Sequence, residues 1–257
     1  MEVSSRHPII RFSSGERSET TDEIVNELSL RLSIGSRVLA TVVCSPDHLE
    51  DMAAGYLLTS GIVTDGNPIR SLELDPAGDT MNVELEDNSV IVDMVFTGMR
   101  PVGCGGGTLL FSDREVPPSR KGGVEISSSW IAECMKEFNR SSDLFARTGG
   151  VHSAAVADGS RLLATREDIG RHNALDKAIG CIYRSGLPLN DKVVLTSGRV
   201  SSEIMLKLVY SGVPVIVSRS APTAGALAVA EKQGVTVVGF ARGASFNVYT
   251  HPERVIF

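Results

Sequence analysis

From Val151 to Arg242 the chain alternates short runs of β-branched and small apolar residues with amphipathic stretches at helical spacing. No other feature constrains its fold as strongly. The alternation predicts strand (HSAAVAD), turn at Asp158-Gly159, strand (RLLATRE), helix (NALDKAIGCIYRSG), strand (KVVLTSG), helix (SSEIMLKLVYSG), strand (PVIVSRS), helix (TAGALAVAEKQG) and strand (TVVGFAR). A hairpin followed by alternating helices and strands builds an α/β fold, with a mixed, mainly parallel sheet covered by helices.

The first half reads differently. Leu28, Leu30, Leu32 and Ile34 alternate with polar residues as in a half-buried strand, and Gly35-Ser36 turns the chain into a second strand from Arg37 to Val43. Ser45-Pro46 predicts a helix cap, and Leu49, Met52, Ala53, Tyr56 and Leu57 form a helical stripe ending at Gly61. A second hairpin is expected from Met81 to Leu85 and Val90 to Phe96, around Asp87-Asn88. Periodicity then collapses from Thr97 to Gly123 into a glycine- and proline-rich stretch, the kind of long loop that is functional or a mobile linker. Ser127 to Ser129 can cap a further helix with Ile131, Cys134, Met135 and Phe138 inward. The expected organisation is a strand-rich N-terminal domain over 1–123 and an α/β domain over 124–257.

The 257 residues carry a formal net charge of −6, 42% hydrophobic residues and four cysteines. That balance suits a folded chain, and the acidic total argues against a nucleic-acid binder with a broad basic face. No apolar run reaches the ~20 residues of a membrane span, and the start MEVSSRHPIIRF lacks a signal-peptide block, so a cytoplasmic protein without membrane contact is expected. The cysteines form no CxxC pair. Cys44, in phase with Val38, Ala40 and Val42, and Cys134 and Cys181, on or beside apolar helical faces, read as small buried hydrophobes. Cys104 alone lies outside any periodic pattern, within Gly103-Cys104-Gly105-Gly106-Gly107. Flanking glycines let a thiol approach a partner closely, as a nucleophile or sulfur carrier requires; an incidental cysteine in a plain glycine turn is the alternative.

Polar residues recur where the predicted strands end: Glu167, Asp168, Arg171, His172 and Asn173; Ser197, Arg199, Ser202 and Glu203; Arg219, Ser220 and Thr223; then Arg242 and Asn247. In α/β sheets ligands gather at such ends, and arginines beside Ser/Thr-capped helices suit phosphate. Taken singly, each loop also reads as an ordinary cap with surface ion pairs. His152 and His172 lack paired-ligand spacing, so they read as a satisfied histidine at a strand start and a donor at a helix N-terminus.

The stretches TGGVHSAAVAD (148–158), REDIGRHNALDKAIG (166–180), LTSGRVSSEIMLKLVYSGVPVIVSRSAPTAGALAVA (195–230) and GFARGASFNVYTHPERV (239–255), with residues 25–63, resemble the FdhD/NarQ family, accessory sulfurtransferases for formate dehydrogenase. The resemblance implies a cytidine deaminase-like fold. It does not extend to zinc, because the PCxxC pair of deaminases is replaced by Ser197-Gly198-Arg199-Val200-Ser201-Ser202, and no metal site is expected. It implies transfer of persulfide sulfur from a cysteine desulfurase to the molybdenum or tungsten of a bis-molybdopterin guanine dinucleotide cofactor, for the formate dehydrogenase catalytic subunit. A homodimer is also implied, and GDP is the expected mimic of the cofactor. The family's CGxCG loop reads Cys104-Gly105-Gly106-Gly107-Thr108 here, so Cys104 is the expected catalytic thiol without a second cysteine. The missing thiol motivates an alternative, a non-catalytic chaperone binding the same cofactor. The family's cofactor-binding segment corresponds to Phe240, Ala241, Arg242, Gly243, Ala244 and Ser245, and the expected site extends to Arg171, His172, Ser197, Arg199 and Ser220. Asp168 and Asp176 are expected to hold Arg171 and Lys177 in place.

Overall fold

The computed structural model describes residues 1–89 and 124–256. The segment from Val90 to Phe96, the glycine-rich stretch and Cys104 lie outside the described residues.

Strands β1 (Ser4–Ser13) and β2 (Glu16–Val25) form an antiparallel hairpin closed by Ser14 and Gly15, both at positive φ as its two-residue turn requires. The periodicity missed this hairpin because most of its residues are exposed on both faces, which leaves no apolar alternation to detect. Next come β3 (Leu28–Ile34) and β4 (Arg37–Cys44), then α1 (Leu49–Thr59), β5 (Ile69–Leu74) and β6 (Thr80–Leu85). They form a four-stranded sheet in the order β4-β3-β6-β5, with β3 and β6 parallel. Leu30, Leu32, Ala40, Val42 and Cys44 pack with Met52, Ala53, Tyr56 and Leu57 of α1 in one core. Val38 departs from the expected phase: a register shift opposite Leu32 and Ser33 leaves it 59% exposed.

The expected Ser45-Pro46 cap is also absent. Helix α1 begins after His48, which is left-handed and makes no side-chain cap, because Ser45 instead donates its backbone N–H and hydroxyl to the buried Asp168.

Short β7 (Ile126–Ser127) leads into α2 (Ser128–Arg140), whose cap is Ser127, accepting from the Trp130 N–H as predicted. The six-residue α3 (Asp143–Thr148) follows. A six-stranded sheet is then built from β8 (His152–Ala157), β9 (Leu162–Asp168), β10 (Val193–Thr196), β11 (Val215–Ser218), β12 (Thr236–Arg242) and β13 (Ser245–Thr250), in the order β13-β12-β11-β10-β8-β9. Strand β14 (Val255–Ile256) returns to pair with β7. The sheet is mixed but not mainly parallel: only β10-β11-β12 run parallel, because the short β8/β9 and β12/β13 connections permit only antiparallel pairs.

Strand alternation sorts the core into two layers. Val194, Ile216 and Val237 face α4 (Arg171–Arg184), α5 (Ser202–Ser211) and α6 (Ala224–Gln233). Val193, Leu195, Val215, Val217 and Val238 pack with Ile131, Cys134, Met135 and Phe138 of α2. Helix α1 joins this body through α4. A Cβ on Gly55 would lie 1.8 Å from the Asp176 carbonyl oxygen, and one on Gly180 1.9 Å from that of Asp51, so the two backbones touch.

Candidate functional site

Because β10, β11 and β12 are parallel, their carboxyl ends share one edge of the sheet, and α4, α5 and α6 all begin there. Antiparallel β8 brings its first residue to the same edge, with His152 opposite Asp168. The loops are tied together by their own backbone. Val200 N–H donates to the Ala221 carbonyl, Thr223 N–H to that of Val200 and Arg219 N–H to that of Thr196. Ser218 Oγ donates to the Gly198 carbonyl at 2.7 Å and accepts from Ser220 N–H at 2.9 Å.

At this edge Arg171, His172 and Ser197 come together. The Ser197 hydroxyl accepts from the Ser153 N–H at 3.0 Å and lies 3.3 Å from His152 Nδ1. Arg171 lies across Gly198, where an added Cβ would come within 3.0 Å of the arginine's own Cβ. His172 Nε2 is 3.1 Å from a Glu203 carboxylate oxygen, yet the pair is not aligned as a hydrogen bond. Buried Arg171 Nε and His172 Nε2 both lack hydrogen-bond partners. Burial, aided by the charges of Arg171 and Lys207, pushes the His172 imidazole down to about 3, so it is neutral at physiological pH. Sequence spacing could not reveal Glu203 as its neighbour, since the contact joins the first turns of two helices.

A second group lies on β11 and β12. The Ser220 carbonyl accepts from Phe240 N–H at 3.1 Å, and Arg242 Nε donates to the Arg219 carbonyl at 3.3 Å. Phe240 occupies a bulge against β13 with φ 53° and is 42% exposed. A bulky residue at positive φ stores local strain, as is common at ligand sites. Ala241 is buried in the core beneath α2 and so contributes backbone only. Gly243 (φ 59°) and Ala244 form the turn to Ser245. Gly243 and the α2 residues Ala132, Glu133, Lys136, Asn139 and Arg140 line an open cavity of about 460 Å³. Arg199 is exposed on the loop after β10.

Two expected ion pairs are exchanged. Asp168 binds Lys177 Nζ at 2.8 Å and accepts from Ser45, Gly170 and Asn173; no bond to Arg171 forms. Asp176 binds Lys207 Nζ at 2.9 and 2.8 Å and Thr59 Oγ1 at 2.7 Å, rather than Lys177. Adjacent helical residues point about 100° apart, so Asp176 and Lys177 face different neighbours. Cys44 and Cys134 are buried, their thiols pushed up to about 12 by desolvation, and half-buried Cys181 has its sulfur 2.9 Å from Arg166 Nη2. Among the described residues no group of three or more His, Cys, Asp or Glu side chains is arranged to hold a metal ion, and no helix is long and apolar enough to cross a membrane.

The model of the FdhD/NarQ family matches residues 25–256. The chain belongs to the FdhD/NarQ family. Its relatives in that family include the sulfur carrier protein FdhD of Bacillus pumilus, 38% identical with 98% of each chain covered. The sulfur carrier protein FdhD of Bacillus subtilis is 36% identical, again over 98% of each chain. The crystal structure of a candidate formate dehydrogenase accessory protein from Desulfotalea psychrophila superposes with a TM-score of 0.81 at 26% identity, covering 99% of this chain and 100% of that one. The FdhD/NarQ fold is thus a mixed α/β body with a strand-rich N-terminal region.

Proposed function

We propose that this FdhD/NarQ protein is a sulfur carrier, a sulfurtransferase that accepts persulfide sulfur from a cysteine desulfurase. It delivers that sulfur to the molybdenum or tungsten of a bis-molybdopterin guanine dinucleotide cofactor, its substrate, for the formate dehydrogenase catalytic subunit. Full-length similarity to proteins named sulfur carriers supports this reading. The observation that supports it most is the common edge of the sheet, where α4, α5 and α6 begin and where Arg171, His172, Ser197, Arg199, Ser220 and Arg242 all lie at or just beyond strand ends. Guanidinium groups there, and the start of α4, which has no side-chain cap, suit the diphosphates of such a cofactor. We take the chain to comprise two domains, 1–123 and 124–257, the second a deaminase-like scaffold without zinc.

In the transfer step the Cys104 thiolate attacks the outer sulfur of the donor's persulfide. A new S–S bond forms on Cys104, the donor's S–S bond breaks, and the donor cysteine leaves as a thiolate, so atoms and electrons balance. The buried thiols of Cys44 and Cys134, raised far above neutrality, are poor thiolates and do not compete with it.

Mass spectrometry after incubation with a cysteine desulfurase and cysteine tests the proposal. The Cys104 peptide is expected to gain one reducible sulfur atom, and an unmodified peptide would sink the carrier reading. Full formate dehydrogenase activity with Cys104→Ala would favour a cofactor-binding chaperone, the role suggested by Gly107 in place of a second loop cysteine.

A further inference from the structure

The open cavity on the outer face of α2 has no part in the transfer step. Lys136, Asn139 and Arg140 line it with Ala132, Glu133 and Gly243, and a Cβ on Gly243 would meet nothing within 4 Å. Arg219 joins it by donating from Nη1 to Asn139 Oδ1 at 3.5 Å, and Arg242, next to Gly243 in the chain, donates to the Arg219 carbonyl at 3.3 Å. Lys136, Arg140, Arg219 and Arg242 are all exposed. Among the described residues none of them makes an ion pair, whereas Arg31, Arg70, Arg147, Arg166 and Arg184 each hold a carboxylate. Carboxylates outnumber Lys and Arg by 31 to 25 in this chain, so cations gathered without them mark a place for an outside anion. The helix dipole accounts for Arg140 alone, which sits in the last turn of α2.

The form of the groove selects the anion. From Ala132 to Arg140 it follows about 12 Å of helix, at 1.5 Å per residue. Its charges are spread along that length, and no aromatic side chain lines it among the described residues, so it lacks the stacking face and convergent donors of a nucleotide site. Successive carboxylates along a polypeptide match such a stripe. Through Gly243 the groove borders the segment from Phe240 to Ser245, so a chain seated in it lies beside the place proposed for the cofactor. We infer that the α2 groove docks an acidic segment of the protein that receives the cofactor, the formate dehydrogenase catalytic subunit, with Lys136 and Arg140 meeting its carboxylates. Exposed charges of this kind steer encounter and fix register more than they add affinity. This docking rests on the carrier reading and adds to it the surface that meets the acceptor.

Surface plasmon resonance with the full-length protein, the purified apo catalytic subunit of a formate dehydrogenase and a purified cysteine desulfurase tests it. Wild-type protein is expected to bind the apo subunit, with association slowing as salt is raised. Lys136→Glu combined with Arg140→Glu is expected to weaken that binding about tenfold, mostly through slower association, and to leave desulfurase binding and the gain of sulfur on Cys104 unchanged. Lys136→Gln with Arg140→Gln, which removes charge without reversing it, is expected to fall between the two. Wild-type affinity for the subunit in the glutamate pair overturns the inference, as does an equal loss of desulfurase binding. Loss of GDP binding by the same pair overturns it too, because the groove would then be part of the cofactor site. Sulfur loading of Cys104 is read without the subunit. Wild-type protein that loads sulfur but does not bind the subunit overturns the docking alone, and protein that loads none overturns the carrier reading beneath it.

Discussion

Lys207 is fully buried on α5, its ammonium shared between both oxygens of Asp176 and the Thr59 hydroxyl, with the Tyr56 ring centroid 5.4 Å away. Burial pushes the Asp176 carboxyl up, while Lys207 and Thr59 pull it back down. Such a pair adds little net stability over apolar residues of the same shape, but losing one member strands a buried charge. Lys207→Met is therefore expected to cost about 3–5 kcal/mol in urea denaturation, and Lys207→Met with Asp176→Leu to recover most of that loss. A single variant within about 1 kcal/mol of wild type would contradict this account. The sequence showed that Asp176 needed a cation but pointed to its chain neighbour Lys177. The true partner lies 31 positions away, and the helix turns the neighbour toward Asp168.

Among the elements, the contact between α1 and α4 sets how the four-stranded sheet attaches to the six-stranded one. Its closeness depends on Gly55 and Gly180, where a methyl group would meet backbone atoms that cannot rotate away. Gly180→Ala gains about 1 kcal/mol of helix propensity, yet the clash outweighs it, so a net loss of about 1–3 kcal/mol in thermal unfolding is expected. An unchanged or raised melting temperature would show that the helices separate at no cost. The helices and strands of the second half were legible because their apolar residues recur at 3.6 or 2 and are buried on the matching faces. The β1–β2 hairpin was not, since exposure removes the pattern. Nor was β13, whose burial alternates with polar and aromatic residues too short in run to distinguish it from a loop.

For the molecule as a whole, His48, His152 and His172 share one electrostatic sign. Burial, reinforced by Arg166 or Arg171, lowers each below the ordinary value of 6.5, His172 furthest, to about 3. The unfolded chain then binds protons near pH 6 that the folded one refuses, so the stability these residues contribute is full above pH 6.5 and falls as pH drops toward 3. Urea midpoints are expected to decline between pH 7 and pH 5, and His172→Asn is expected to flatten that decline. Midpoints that rise on acidification, or a slope untouched by His172→Asn, would reverse the assignment. By itself the sequence determined the periodic elements, the burial of Cys44 and Cys134 and the set of polar strand ends, because these depend on local spacing and on which faces can be wetted. Only the tertiary structure decided that parallel pairing stops at three strands and that β8 brings His152 to their carboxyl ends. It likewise set Glu203 beside His172 and paired Lys207 with Asp176, because those contacts arise from chain crossing and packing between segments that no local period relates.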